Sequence, residues 1–209
     1  MSINYSNNGS TPELHHRRVS QQYEYVTLDE VKDHLNIYHH EENDYLQNII
    51  LAASQLAESY VGDYFNETTI EIYAPTFCDI KLPHHGAFQI ESIKYLDENN
   101  VEQTLSDDLY YLDLTSRQPM VRFEQGLGSP KLSTRSNPVT VTYITKLGDI
   151  KRSGHNICVD AWGGNDIKLA IYMYCSEIYF NRDNHTERKV AKLPLSSERL
   201  LEKYRVVVV

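Results

Sequence analysis

Tryptophan occurs once and cysteine three times among 209 residues. Cys78, Cys158 and Cys175 are scattered, odd in number and include no Cys-x-x-Cys, so neither a disulfide framework nor a zinc ribbon is indicated. No apolar run approaches the roughly 20 residues of a membrane span. Met1 to Ser6 contains no basic segment leading into an apolar one, so no secretory leader is expected, and the chain reads as soluble and made inside a cell. Positive charge is also short. Lys plus Arg is 20 against 29 for Asp plus Glu, a net charge of −9. That balance argues against tight, charge-driven nucleic-acid binding, which needs cations to neutralise phosphates.

Catalytic signatures are missing too. Gly126-Leu-Gly128 lacks a third glycine and a following helix, and there is neither a Gly-x-Ser-x-Gly elbow nor a P-loop. Three adjacent histidine pairs (His15/His16, His39/His40, His84/His85) invite a metal reading. Neighbouring side chains diverge, however, and the i, i+4 spacing of His-Glu-x-x-His is absent. Cys175 lies inside an apolar helical stripe, the setting of a packed thiol rather than a nucleophile. The reading therefore expects no catalytic residue, no metal ligand and no cofactor.

Acidity is present, and it is concentrated. Residues 26–67 hold Asp29, Glu30, Asp33, Glu41, Glu42, Asp44, Glu58, Asp63 and Glu67 against Lys32 alone, or 1 − 9 = −8. Such a block is either a solvated helix face or a surface that meets a basic partner or repels an anionic one. Sixteen tyrosines suit wet interfaces as well as half-buried strands.

The periodicity changes twice along the chain. Residues 1–22 are polar and aperiodic and read as a flexible arm. Thr27 and Glu30 fit a capping box ahead of a short helix through Val31, Leu35 and Ile37. Asn43 or Asp44 is expected to cap a longer helix whose apolar residues, Leu46, Ile49, Ile50, Ala53, Leu56, Ala57, Tyr60 and Val61, recur at helical spacing and which ends near Gly62. From Thr68 the period becomes two. Strands are predicted around Ile70–Ile72, Ile80–Leu82, Phe88–Leu96 (with a bulge), Val101–Leu105, Tyr110–Leu114, Met120–Phe123 and Val139–Thr145, with long loops at 126–138 and 146–164. Helical spacing returns with Ile167, Ala170, Ile171, Tyr174, Ile178 and Tyr179, and Pro194 precedes a last short helix.

The fold class expected is α+β. The N-terminal (23–67) and C-terminal (163–204) helices form a bundle around Leu46, Ile49, Ala53, Ile171, Tyr174 and Ile178. Residues 68–162 form a central antiparallel β-rich insertion, 1–22 a flexible arm and 205–209 an extended tail. The β-branched run Val206, Val207, Val208 and Val209, entered through Tyr204 and Arg205, would need a docking place, on its own sheet or on a neighbour.

Several motifs in order resemble one family. Val26-Thr-Leu-Asp-Glu-Val-Lys-Asp-His-Leu-Asn-Ile37, Leu46-x-x-Ile-Ile-x-Ala-Ala53 and Glu58-Ser-Tyr-Val-Gly62 look like the opening of the head–tail connector (adaptor or head-completion) proteins of tailed bacteriophages. The pattern continues through Ile90-Glu-Ser-Ile-Lys-Tyr-Leu-Asp97, Tyr110-Tyr-Leu-Asp113, Val139-Thr-Val-Thr-Tyr143, Ile167-Lys-x-Ala-Ile171 and Leu200-Leu-x-x-Tyr-Arg205. The stretch Leu147 to Gly164 is longer than the pattern expects. The resemblance implies a non-enzymatic virion protein that assembles as a ring, typically of twelve copies, at the neck. Its partners would be the portal on one side and a tail, stopper or nozzle protein on the other, with double-stranded DNA passing through and no membrane involved. Tyr204 to Val209 would be the portal-docking segment. Asp29, Glu30, Asp33, Glu41, Glu42 and Asp44 would form an acidic surface facing the lumen or a partner. The residues themselves leave a second reading open: a carbohydrate-binding or adhesion accessory protein using its Tyr-rich β lobe.

Overall fold

The computed structural model describes residues 16–21, 25–116, 118–124, 130–147, 149–153, 156–160, 165–181 and 195–205. In chain order these form β1 (His16–Gln21), α1 (Leu28–Leu35), α2 (Asn43–Val61), β2 (Thr68–Ala74), β3 (Ile80–Lys81), β4 (Ala87–Leu96), β5 (Glu102–Thr104), a single 3-10 turn at Asp107–Leu109, β6 (Tyr110–Asp113), β7 (Met120–Phe123), β8 (Val139–Thr145), β9 (Asp149–Ser153), β10 (Asn156–Asp160), α3 (Asn165–Phe180) and α4 (Leu195–Glu202). The chain is thus α+β.

Helix α1 begins at a complete capping box. The Thr27 hydroxyl accepts the Glu30 N–H (3.3 Å) and the Glu30 carboxylate accepts the Thr27 N–H (2.8 Å), satisfying two donors the helix cannot use internally. It stops at Asn36, whose φ of 57° is left-handed, so Ile37 lies beyond the helix rather than within it. Its side chain is buried all the same. Helix α2 corrects another expectation. The capping position is Glu42, without a side-chain cap, because the Asn43 amide oxygen is committed to the Lys32 ammonium at 3.0 Å. The far end closes at Gly62 with φ 81°, a conformation glycine adopts without steric cost.

Among the described residues all strand pairing is antiparallel. One five-stranded sheet runs in the order β1-β2-β8-β4-β5, a three-stranded sheet in the order β3-β7-β6, and β9 pairs with β10. In β2 and β8 every second residue is buried, the signature of a sheet wet on one face. The register of β4 against β8 slips at Ala87/Gln89 and again at Ile90/Ser92, two bulges that re-phase its apolar residues.

Two segments depart from the sequence reading. Part of the stretch read as a flexible arm is strand β1, held by backbone pairing from His16 opposite Ile72 to Gln21 opposite Thr68. Edge pairing of this kind uses main-chain groups and needs no apolar alternation, so His-Arg-Arg-Val-Ser-Gln gave no signal. Part of the expected long loop at 146–164 is the β9–β10 hairpin, Asn156 facing Ser153 and Asp160 facing Asp149. Here a signal existed: Ile150, Ile157 and Val159 alternate with polar residues on either side of Gly154.

Among the described residues, most buried apolar side chains fall into two clusters. The helical one gathers Leu46, Ile49, Ala53, Val61, Ile167, Ile171, Tyr174 and Leu201, with Ile178 packed against it. The sheet cluster gathers Ile70, Ile72, Leu82, Ile93, Val121, Val141 and Tyr143. Helices α2 and α3 are direct neighbours, and α3 also packs against α4.

Candidate functional site

The two clusters meet at a polar seam built on Asp63, the first residue after the α2 cap. One carboxylate oxygen accepts the Tyr64 N–H (2.9 Å) and the Thr145 hydroxyl (3.1 Å), and the other accepts the Gly86 N–H (2.7 Å). Burial pushes its pKa up, against the pull of the Gly86, Tyr64 and His85 N–H groups and the Thr145 hydroxyl. Around it Leu147 N–H donates to Tyr64 C=O (2.7 Å), Lys146 N–H to Gly86 C=O (3.0 Å), and Phe65 N–H to the buried Glu58 carboxylate (3.2 Å). Gly86 is required by contact: a Cβ there would stand 2.3 Å from Lys146 O. Beside the seam, His84 Nδ1 lies 2.6 Å from the Tyr143 hydroxyl, whose pKa burial drives upward. Each of these groups has a structural partner, and the set joins helices to sheet.

Chemistry-bearing side chains elsewhere are dispersed. Among the described residues no three His, Cys, Asp or Glu side chains converge as a metal site. His39 faces Glu42 at 3.9 Å, and His40 Nδ1 lies 3.4 Å from the Lys32 ammonium. Cys175 is buried, its thiol pushed up to about 12 by desolvation, and the exposed Cys78 is also raised, by burial and by Asp79. Among the described residues no helix is long and apolar enough to cross a membrane.

The acidic residues divide into two groups. Asp29, Asp33, Glu41 and Asp44 are exposed on α1, the connection and the start of α2. Glu30 and Glu42 are tied to α3: Lys168 donates to Glu30 (2.6 Å) and the Tyr179 hydroxyl to Glu42 (2.6 Å). The Lys168 ammonium, followed by the Thr27 N–H, holds the Glu30 carboxyl below its ordinary range. Of the other three carboxylates in the −8 block, Glu58 and Asp63 are buried and Glu67 is exposed. The block's one cation, Lys32, is buried as well, donating to His39 C=O (2.6 Å) and Asn43. The exposed carboxylates therefore keep their field. That inward turn of Lys32 has no sequence signal.

Leu46, Ile49, Ala53, Ile171 and Tyr174 are buried in one cluster, with Ile178 at its margin. Tyr204 is also part of that cluster, and the Arg205 guanidinium lies 5.4 Å from the Tyr60 ring centre. Lys203 pairs with Asp166, which fixes the end of α4 against the start of α3. Val206, Val207, Val208 and Val209 lie outside the described residues.

What the geometry defines is an α+β protein whose helices and sheet are joined at a buried polar seam. Residues 25–109 match the family of phage gp6-like head-tail connector proteins. No curated protein matches the chain by sequence. Among solved structures, a chain from the neck of an empty GTA particle computed with C6 symmetry is similar over 93% of this chain and 97% of its own, at 16% identity and a TM-score of 0.67. A chain from the virion of a native gene transfer agent particle is similar to the same degree, at 16% identity and a TM-score of 0.67, over 93% of this chain and 96% of its own. A third chain, from the neck of a native particle computed with C12 symmetry, is 17% identical with a TM-score of 0.58, over 91% of this chain and 97% of its own. At such identities the likeness is one of fold.

Proposed function

We propose that this protein is a structural component of the neck of a tailed phage or phage-like particle, a connector ring through which the genome passes and which performs no catalysis. The observation that carries the reading is the family match at 25–109 combined with fold similarity over nearly the whole chain to chains from particle necks. The C6 and C12 symmetries of those necks favour a ring of twelve copies here. The N- and C-terminal helices form the body of each wedge, and residues 68–162 its β lobe.

Two surfaces take roles in this reading. Asp29, Asp33, Glu41 and Asp44, repeated around a ring, build a negative wall past which DNA slides without sticking, or which meets a basic neighbour. Residues 205–209 extend from the anchored Tyr204 to the portal, offering main-chain hydrogen bonds and alternate valines to a groove there, with Arg205 against a portal carboxylate. A tail, stopper or nozzle protein takes the other side.

The test is electron microscopy of particles from cells making the chain truncated after Tyr204. The expected result is a folded protein and DNA-filled heads without tails. Tailed, infectious particles would remove the docking role of residues 205–209. Particles in which the wild-type chain is absent from the neck would overturn the connector reading itself.

A further inference from the structure

Helices α2 and α3 each present an outward strip free of charge. On α2 the exposed positions after Asp44 are Tyr45, Gln47, Asn48, Leu51, Ala52, Gln55, Leu56 and Ser59, none of them ionisable apart from the tyrosine. Solvent faces of helices ordinarily carry Lys, Glu and Arg, and a chain with a net charge of −9 has carboxylates to spare. On α3 the outward strip is Leu169, Met173, Ser176 and Phe180, with Leu169 43% and Phe180 70% exposed. The charges at its margins are occupied within the same copy: Lys168 by Glu30, Asp166 by Lys203, and Glu177 by the Asn181 amide (2.8 Å).

The spacing of the two strips matches. Leu169, Met173, Ser176 and Phe180 advance by four, three and four residues, and so do Asn48, Ala52, Gln55 and Ser59. This is the spacing of a seam along which one helix packs its side chains between those of another. Sizes are complementary as well. Large apolar groups dominate the α3 strip, whereas the central α2 positions are small or flat, flanked by the half-exposed Leu51 and Leu56.

We infer that the α3 strip of one copy of this chain seats on the α2 strip of the next. The inference rests on the connector reading for its biological setting. Charge selects a second copy as the occupant. Two copies of net charge −9 approach with least repulsion where neither face bears a carboxylate, and burying these strips strands no ion. DNA finds no cation on either strip. Using different patches on the two partners makes the contact heterologous, the kind that closes rings. Its area is modest: from Asn48 to Ser59 a helix rises about 17 Å and is about 10 Å across, on the order of 200 Å² in plan. Stable pairs bury about 800 Å² per partner, so one such contact leaves a dilute chain monomeric and gains strength from ring closure.

Disulfide trapping tests this, in the full chain with Cys78→Ser. The variant carrying both Ala52→Cys and Met173→Cys is oxidised in assembled particles and as concentrated purified protein, then run on non-reducing gels. The expected result is a ladder of multimers of this chain from the double variant in at least one of the two preparations, with no ladder from either single variant. Adding Leu169→Glu to the double variant should abolish the ladder while leaving the circular dichroism melt unchanged. Absence of a ladder from both preparations overturns the inference. So does a dimer from Ala52→Cys alone, a bond formed only within one chain, or linkage only to a different virion protein. If that failure occurs with the chain present in the neck, the helix contact falls and the connector reading stands. A ladder from a chain that is absent from particles upholds the helix contact and overturns the connector reading.

Discussion

Asp63 and Gly86 show how much can rest on single residues at the seam. For Gly86→Ala the methyl group meets backbone rather than a yielding side chain, so either the β4 start or the β8 end must move. The expected cost is about 2–3 kcal/mol, read from urea unfolding. Asp63 behaves differently with pH. Its folded pKa is raised, so the native state holds the proton more tightly than the unfolded chain. The stability this residue contributes is complete below the ordinary carboxylate range and is lost as pH rises through the raised value. Asn at this position does not titrate, and its amide would face the Gly86 N–H donor, leaving a buried group unsatisfied at about 1–3 kcal/mol. Asp63→Asn should therefore be the less stable protein in mild acid, with the wild-type margin shrinking as pH rises above the ordinary carboxylate range. A margin that grows with pH would contradict the assignment.

Individual elements were legible to different degrees, and the reasons are physical. Helix α1 announced itself through Thr27 and Glu30 because a capping box is local chemistry, complete within four residues. Removing the hydroxyl with Thr27→Ala is expected to lower stability by about 1 kcal/mol, measured as a shift in denaturant midpoint at constant slope. Strands β2 and β8 were legible because one face is buried along their whole length. Strand β1 was not, since its partners are main-chain groups supplied by β2, distant in sequence. The capping of α2 was misread for a similar reason: Asn43 looks like a cap until Lys32, eleven residues earlier, claims its oxygen. Of the candidate surfaces, composition exposed the acidic block as a whole. It could not show that Glu58 and Asp63 belong to the interior while Asp29, Asp33, Glu41 and Asp44 face outward.

For the whole molecule, net charge and interface size together govern assembly. Like-charged copies repel, and each helix-on-helix contact is small, so the purified chain should be a monomer of 24.2 kDa at micromolar concentration. Mass photometry over a salt series should show association favoured as screening increases, because the Debye length falls from about 30 Å at 0.01 M to about 10 Å at 0.1 M. A stable dimer indifferent to salt would argue against both the repulsion and the seating of α3 on α2.

The seam also has a mechanical meaning. Two separately packed bodies are joined where Asp63, Gly86, Thr145 and the Tyr64–Leu147 bond hold a few short hydrogen bonds side by side. Hydrogen bonds loaded together share a force, and the apolar clusters on either side resist shear only as whole units. On the connector reading proposed above, a load entering through the helices and leaving through the sheet crosses this clasp. On that reading, the strength of the clasp bears on how far each copy tilts under load before its fold begins to open.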